Sequence, residues 1–394
     1  MTRVLLFTGK GGVGKTTVAA ATAARVAAGG ARTVVCSTDP AHSLGDAYGL
    51  ELSDDVQLIA PRLAAVQLDA RRRLEETWDA VRDYLVALFD WAGAAPVEAE
   101  ELAVVPGLDE VFALADIKQF ADSGDYDVVV VDCAPTAETL RMLSLPDVLG
   151  WYMDRVFPTQ RRVTRTVRPL LARVLSMPIA SEGVFSAVHD FAQRLDGVRD
   201  LLTDADQTSA RIVVNAERMV VAEARRMFTY LHLFGYHVDA VIANRLLPAA
   251  VSDPWFDEWR AVQAGHLETI DAAFAPVPVL TAELAPGELI GLDRLAGLAV
   301  ELYGDIDPAA RLASVDPLRI ESVGDTLVLS MPLPGATRGE LELGRHDDEL
   351  LLAVGSHRRA VSLPDSLARR EVGGARFEGD RLEVAFVNGA GGRL

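Results

Sequence analysis

Residues 9–16 read Gly9-Lys10-Gly11-Gly12-Val13-Gly14-Lys15-Thr16, satisfying G-x-x-x-x-G-K-[ST] between a short apolar run and an alanine-rich stretch. Glycines at this spacing let consecutive backbone N–H groups turn inward around an anion, and a helix starting there adds its partial positive charge. Lys15 would then reach the β- and γ-phosphates of ATP, while the Thr16 hydroxyl ligates Mg²⁺. Gly11, Gly12, Val13, Gly14, Lys15, Thr16 and Thr17 are the nucleotide contacts this loop predicts.

Only three of the 38 basic residues are lysines, Lys10, Lys15 and Lys118, and two of them lie in this loop. A chain that otherwise uses arginine has placed compact ammonium groups there, where a planar guanidinium would not serve. Lys10 is a candidate second cation near the γ-phosphate, stabilising charge during phosphoryl transfer as an arginine finger does. A solvated loop lysine is the alternative.

Two carboxylates follow apolar runs. Asp39 opens Asp39-Pro40-Ala41-His42-Ser43-Leu44-Gly45-Asp46-Ala47, and Asp132 opens Asp132-Cys133-Ala134-Pro135-Thr136-Ala137-Glu138-Thr139-Leu140-Arg141. Ligands of open α/β sheets bind at the carboxyl ends of strands, so both acids are expected beside the loop. One can orient an attacking water and the other can hold metal-bound water. Taken alone, either would be read as a cap on a loop or helix; taken with the P-loop, neither is.

The elements that must position these groups are readable. Val4 to Phe7, Thr33 to Cys36 and Asp127 to Val131 are continuous apolar runs, as in strands buried on both faces of a parallel sheet. Thr16 to Ala28 reads as the helix between the first two. Ala210 to Val214 and Val238 to Ala243 flank a helical stretch from Val220 to Phe234, and Val277 to Leu280 suits a last strand. Residues 70–123 and 147–203 have helical periodicity and are expected to be helical additions. After Pro317 the period becomes two: Leu327, Leu329, Met331 and Leu333; Leu350, Leu352 and Val354; Arg359, Val361 and Leu363; Leu382, Val384 and Phe386. The fold class is therefore α/β, a P-loop NTPase with a mostly parallel sheet over residues 1–312, followed by an antiparallel β-sandwich over 317–388. A short linker near Asp305 to Asp316 joins them.

Composition narrows the partners. A formal charge of −19 repels phosphate backbones and argues against nucleic acid. Cys36 and Cys133 follow β-branched runs and read as buried hydrophobes, without C-x-x-C or metal-ligand spacing. The first apolar run is too short for a signal peptide, and no stretch approaches 18 apolar residues, so a reducing cytoplasm is expected.

The run Lys10-Gly11-Gly12-Val13-Gly14-Lys15-Thr16-Thr17 resembles the deviant P-loop of dimeric nucleotide-switch ATPases. With the segments at Asp39 and Asp132, and with Pro106-Gly107-Leu108-Asp109-Glu110, Leu143-Ser144-Leu145-Pro146 and Ile242-Ala243-Asn244-Arg245-Leu246-Leu247-Pro248, residues 1–305 resemble the ArsA-type ATPases. That family holds the arsenite-pump ATPase and the ATPases that target tail-anchored membrane proteins. The resemblance implies a homodimer sandwiching two ATP molecules, with Lys10 reaching the nucleotide of the opposite subunit. It makes Asp39 the residue that polarises the hydrolytic water, Asp132 the second-switch carboxylate near Mg²⁺, Asn244 an adenine contact and Glu217 a contact across the dimer, although Asn215-Ala216-Glu217-Arg218 departs from the family pattern. The last segment resembles an α-crystallin, or small heat-shock, domain through Leu333-Pro334-Gly335, Arg358-Arg359-Ala360-Val361-Ser362-Leu363-Pro364 and Leu382-Glu383-Val384-Ala385-Phe386. Residues 387–394 carry no I-x-I motif, so large small-heat-shock oligomers are not expected.

Two cysteines do not supply the thiolates an arsenite site needs, and the C-x-x-C that joins the eukaryotic targeting subunits through zinc is absent. In 147–203, Val163, Val167, Leu170, Leu171, Val174 and Leu175 recur at helical spacing, with Arg161, Arg165 and Arg168 on another face. An ordinary amphipathic helix explains that pattern. The resemblance adds a second reading, a hydrophobic groove for a transmembrane segment. The expectation is a Mg-ATPase whose partners are hydrophobic transmembrane segments of clients or a membrane protein. The alternatives are an ATPase subunit coupled to anion or metalloid efflux, and an ATP-dependent small-molecule ligase.

Overall fold

The structure is a computed structural model that describes residues 1–39, 43–69, 83, 86, 108–134, 193, 195, 197–314 and 318–388. The expected helices over 147–203, with the groove-forming pattern from Val163 to Leu175, lie almost wholly outside these residues, as does most of 70–107.

Val4 to Phe7 are buried and form the middle of β1 (Arg3–Thr8). Helix α1 (Lys15–Ala28) starts after Gly14 and ends at Gly29, and its fully buried Ala19, Ala20, Ala21 and Ala23 let its backbone come close to the sheet. Next come β2 (Thr33–Ser37), α2 (Ser43–Tyr48), β3 (Gln57–Ala60), β4 (Leu63–Gln67), α3 (Leu108–Asp122) and β5 (Val128–Asp132). They are followed by α4 (Val198–Thr203), β6 (Thr208–Asn215), α5 (Arg218–Leu233), β7 (Val238–Leu246), α6 (Asp257–Phe274), β8 (Val279–Glu283) and α7 (Leu292–Tyr303).

These eight strands form one sheet in the order β3-β4-β2-β5-β1-β6-β7-β8, parallel except for β3. Because β5 lies between β1 and β2, the strand order reverses at β1, which creates a crevice at the carboxyl edge. The expected third strand is thus the fifth. Strands β3 and β4 escape sequence reading because Leu63-Ala64-Ala65-Val66 is alanine-rich, and only its parallel pairing with β2 makes it a buried strand. The last strand begins two residues later than expected, because Val277 still belongs to the turn bonded to Phe274.

Behind the crevice lies a buried ionic network. The Arg211 guanidinium and the Asp239 carboxylate, both fully buried, pair at 2.9 Å. Arg211 also donates to Tyr303 Oη (3.2 Å), which is 2.8 Å from Thr22 Oγ1 on α1. Arg3 donates to the Ala309 carbonyl, Arg211 donates to the Ala310 carbonyl, and Asp239 accepts from the Leu312 N–H. The expected linker is therefore laid down on the core through residues 309–312.

The carboxyl-terminal part contains β9 (Arg319–Val323), β10 (Thr326–Pro332), β11 (Leu341–His346), β12 (Glu349–Val354), β13 (His357–Ser362), the short α8 (Asp365–Ala368), β14 (Glu371–Glu378) and β15 (Arg381–Val387). They make two antiparallel sheets, β14-β15-β10-β9 and β11-β12-β13. Leu329, Met331, Leu333, Leu350, Leu352, Val354, Val361, Leu363, Leu382, Val384 and Phe386 fill the space between, as the alternation requires. Leu233, the last residue of α5, is part of that same core. Thr229 donates to the Pro334 carbonyl, buried Arg359 donates to the Leu233 carbonyl, and the Tyr230 and His357 rings stack at 3.9 Å.

Candidate active site

Pairing register brings the chemistry to one edge. Phe7 and Ser37 are both opposite Asp132, so β2, β5 and β1 end level, while Thr8 is opposite Ile212 and β6 and β7, with Asn215 opposite Asn244, run on past the start of the loop. The loop from Gly9 leaves β1 at the centre of this row. A Cβ at Gly9 would lie 2.3 Å from the Val213 carbonyl oxygen, so glycine lets the loop pass over β6. Gly14 has φ +97°, and a Cβ there would lie 2.4 Å from Asn244 Nδ2. Only glycine fits both constraints.

Lys15 is buried and its ammonium folds back to the Lys10 carbonyl at 3.4 Å. Thr16 Oγ1 donates to Asp132 Oδ2 at 2.8 Å and is 3.0 Å from Ser43 Oγ; Ser37 Oγ donates to the same Asp132 oxygen at 3.1 Å. Thus the P-loop threonine, the carboxylate ending β5 and a hydroxyl from the segment after Asp39 meet at one point. Burial pushes the Asp132 carboxyl up to about 6, against the pull of Thr16, Lys15 and Ser37, and the Asp39 carboxylate adds to the rise. Among the described residues its other oxygen, Oδ1, is buried without a hydrogen-bond partner. That orphaned acceptor, beside two hydroxyls, is a set of hard oxygen donors suited to Mg²⁺.

Asp39 is half-buried. Its N–H donates to Ser37 Oγ (3.2 Å) and its carbonyl accepts from Gln67 Nε2 (2.9 Å), which fixes its backbone at the end of β2. Residues 40–42, and the second-switch residues from Pro135 to Arg141, lie outside the described residues. Asn244 Nδ2 donates to the Val13 carbonyl at 2.9 Å, so in this structure the side chain expected to contact adenine braces the P-loop. Glu217 is exposed at the N-cap of α5 without a side-chain cap bond, at the edge where β6 ends. Thr17 lies in the first turn of α1 and is half-buried. Lys10 is partly exposed, with its ammonium 3.8 Å from Glu223 on α5.

Sequence reasoning missed Ser37, Ser43, Arg245 and Glu223. Arg245, at φ +59°, donates to the Gly12 carbonyl at 2.8 Å and so closes the loop from the β7 side. Ser43 had a signal, a hydroxyl four residues beyond Asp39 at the start of a helix. Glu223 had none, because only the tertiary fold brings α5 to the loop. Cys36 and Cys133 are buried, and burial pushes both thiols far above their usual range, which opposes the thiolate that a soft metalloid needs.

A glycine-rich loop between a central parallel strand and a helix, with a buried lysine and a Thr–Asp pair at the strand-order switch, defines a P-loop nucleotide hydrolase. Residues 2–304 match the family described as "Anion-transporting ATPase", and residues 324–386 match the "HSP20-like domain found in ArsA". The chain belongs to the ArsA family of ATPases. It is 37% identical to a "Putative arsenical pump-driving ATPase" of Prosthecochloris vibrioformis over 98% of this chain and 96% of that one. It is 35% identical to "Putative arsenical pump-driving ATPase 1" of Aquifex aeolicus over 97% and 99%. Similarity extends to "ATPase GET3B" of Arabidopsis thaliana, 30% identical over 76% of this chain and 77% of that protein.

Proposed function

We propose that this ATPase is a Mg²⁺-dependent, nucleotide-switched homodimer of the cytoplasm that binds hydrophobic membrane-protein segments. The observation that carries the switch is the meeting of Thr16, Asp132 and Ser43. A ligand at Thr16 competes with hydrogen bonds that reach both the strand β5 and the segment after Asp39. Thr16, and Asp132 through water, would hold Mg²⁺, which neutralises phosphate charge when bound. Lys15 holds the terminal phosphates, Asp39 orients the attacking water and Lys10 supplies a second ammonium to the γ-phosphate, in the opposite subunit's site. Asn244 and Glu217 belong to the nucleotide surround.

The client reading draws on likeness to the GET3-named relatives and on the apolar helical pattern of residues 163–175. No helix among the described residues is long and apolar enough to cross a membrane. The second reading, coupling to anion or metalloid efflux, is favoured by the names of the bacterial relatives, with the metalloid carried by groups other than Cys36 and Cys133. Pull-down of a synthetic transmembrane peptide with Mg-ATP, Mg-ADP or no nucleotide decides between them. Capture that changes with nucleotide supports the client reading; nucleotide-independent behaviour, with turnover stimulated stoichiometrically by arsenite, overturns it.

A further inference from the structure

The Lys10–Glu223 pair joins the P-loop to a helix that sequence spacing gave no reason to connect with it. The Lys10 ammonium lies 3.8 Å from Glu223 Oε2, with side chains 35% and 27% exposed. Glu223 is in the second turn of α5, seven residues before Tyr230 on the segment that meets the sandwich. The helix is anchored at both ends: Glu217 N–H donates to the Asn215 carbonyl, and Arg359 donates to the Leu233 carbonyl. Glu223 is therefore presented from a fixed backbone, while Lys10 extends from a loop.

We propose that Glu223 is a positioning residue for Lys10. In the nucleotide-free protomer it holds this ammonium on its own subunit's α5, and a phosphate must draw the lysine away before it can act on transferred charge. The proposal rests on the reading of Lys10 as a phosphate-contacting group. Its cost falls on the free enzyme alone, because once Lys10 is on phosphate the Glu223 contact is already broken. Loss of the contact should then lower KM and leave kcat unchanged. A part-exposed ion pair sets the size of the effect at about two- to five-fold.

Three lysines make the test direct. Brief amine acylation of the nucleotide-free full chain, read by peptide mass spectrometry, compares Lys10 with Lys118, which is paired to Asp122 on α3 and serves as the internal standard. In Glu223→Gln, Lys10 should react about two- to five-fold faster relative to Lys118. Glu223→Asp, with its charge one methylene farther back, should fall between, and KM for Mg-ATP should drop by a matching factor at constant kcat. Equal Lys10 labelling in wild type and Glu223→Gln overturns the proposal, as does a parallel change at Lys118 or a KM effect that persists in a Lys10→Ala background. A separate arm adds Mg-ATP to the wild type. Protection of Lys10 supports its phosphate role, whereas absence of protection overturns that role and leaves the nucleotide-free labelling result to be judged by itself.

Discussion

Replacing Asp132 by asparagine should make the nucleotide-free protein more stable and the ATPase worse. At the end of β5 this carboxyl is fully buried, and its titration is raised from 3.8 to about 6. For an acid raised in the folded state, the penalty is absent below the unfolded value and complete above the folded one. At pH 7.5 it therefore acts in full. A rise of about two pH units, at about 1.4 kcal/mol each, gives about 3 kcal/mol. An asparagine oxygen can still accept from Thr16 and Ser37, but its NH2 then occupies the place of Oδ1, which has no partner. An unmet amide costs about 1–2 kcal/mol, which leaves a net gain of about 1–2 kcal/mol. For a chain of this length that is a rise of about 1–2.5 °C in melting temperature. Thermal unfolding in EDTA without nucleotide measures it, and steady-state turnover with Mg-ATP should fall about 10–100-fold, as for groups that act through a metal's outer sphere. An Asp132→Asn variant that melts at or below wild type, or that hydrolyses ATP at the wild-type rate, refutes the view that this buried charge is kept for the cation.

Gly14→Ala should abolish ATP binding by calorimetry and cost about 2–3 kcal/mol, because the left-handed backbone is strained by a Cβ and the new methyl displaces the Asn244 amide from Val13. Buried His232 has its Nδ1 2.9 Å from the Phe228 carbonyl, and its titration is lowered to about 4, chiefly by burial. Between pH 4 and 6.5 the unfolded chain binds the extra proton at this site, so His232 contributes a rise of about 3 kcal/mol that runs against the growing Asp132 penalty; in urea unfolding at several pH values the stability of wild type relative to His232→Gln should therefore rise by about 3 kcal/mol over that window. Arg359→Ala removes the donor to the Leu233 carbonyl and should cost about 2–4 kcal/mol. Calorimetric unfolding should then separate into two transitions, and a single unchanged transition would count against tight docking of the sandwich on α5.

The P-loop and both carboxylates could be read directly because each follows an apolar strand buried on both faces, whose continuous hydrophobic pattern is strong and whose end is sharply marked. The sandwich was equally plain, since its alternating residues face a single interior. Strand β4 was hidden because alanine has no strong preference for strands, and β3 because four residues, none of them buried, carry too little pattern. Glu223 and Arg245 reach the loop from positions more than 200 residues away, and no local spacing encodes such a meeting. The same is true of Arg211 and Asp239, each of which looks out of place in its strand until the ion pair between the neighbouring strands is seen.

The shared interior at Leu233 also bears on any attempt to learn the sandwich's role by deletion. Cutting the chain near residue 312 would strip cover from Leu233 and Tyr230 at the tip of α5 and leave a greasy helix end facing water. A shortened protein that sticks to membranes or to itself would then be displaying this wound, whatever the missing part normally does. Point changes on the sandwich's outer faces, which leave that seam closed, are the cleaner instrument.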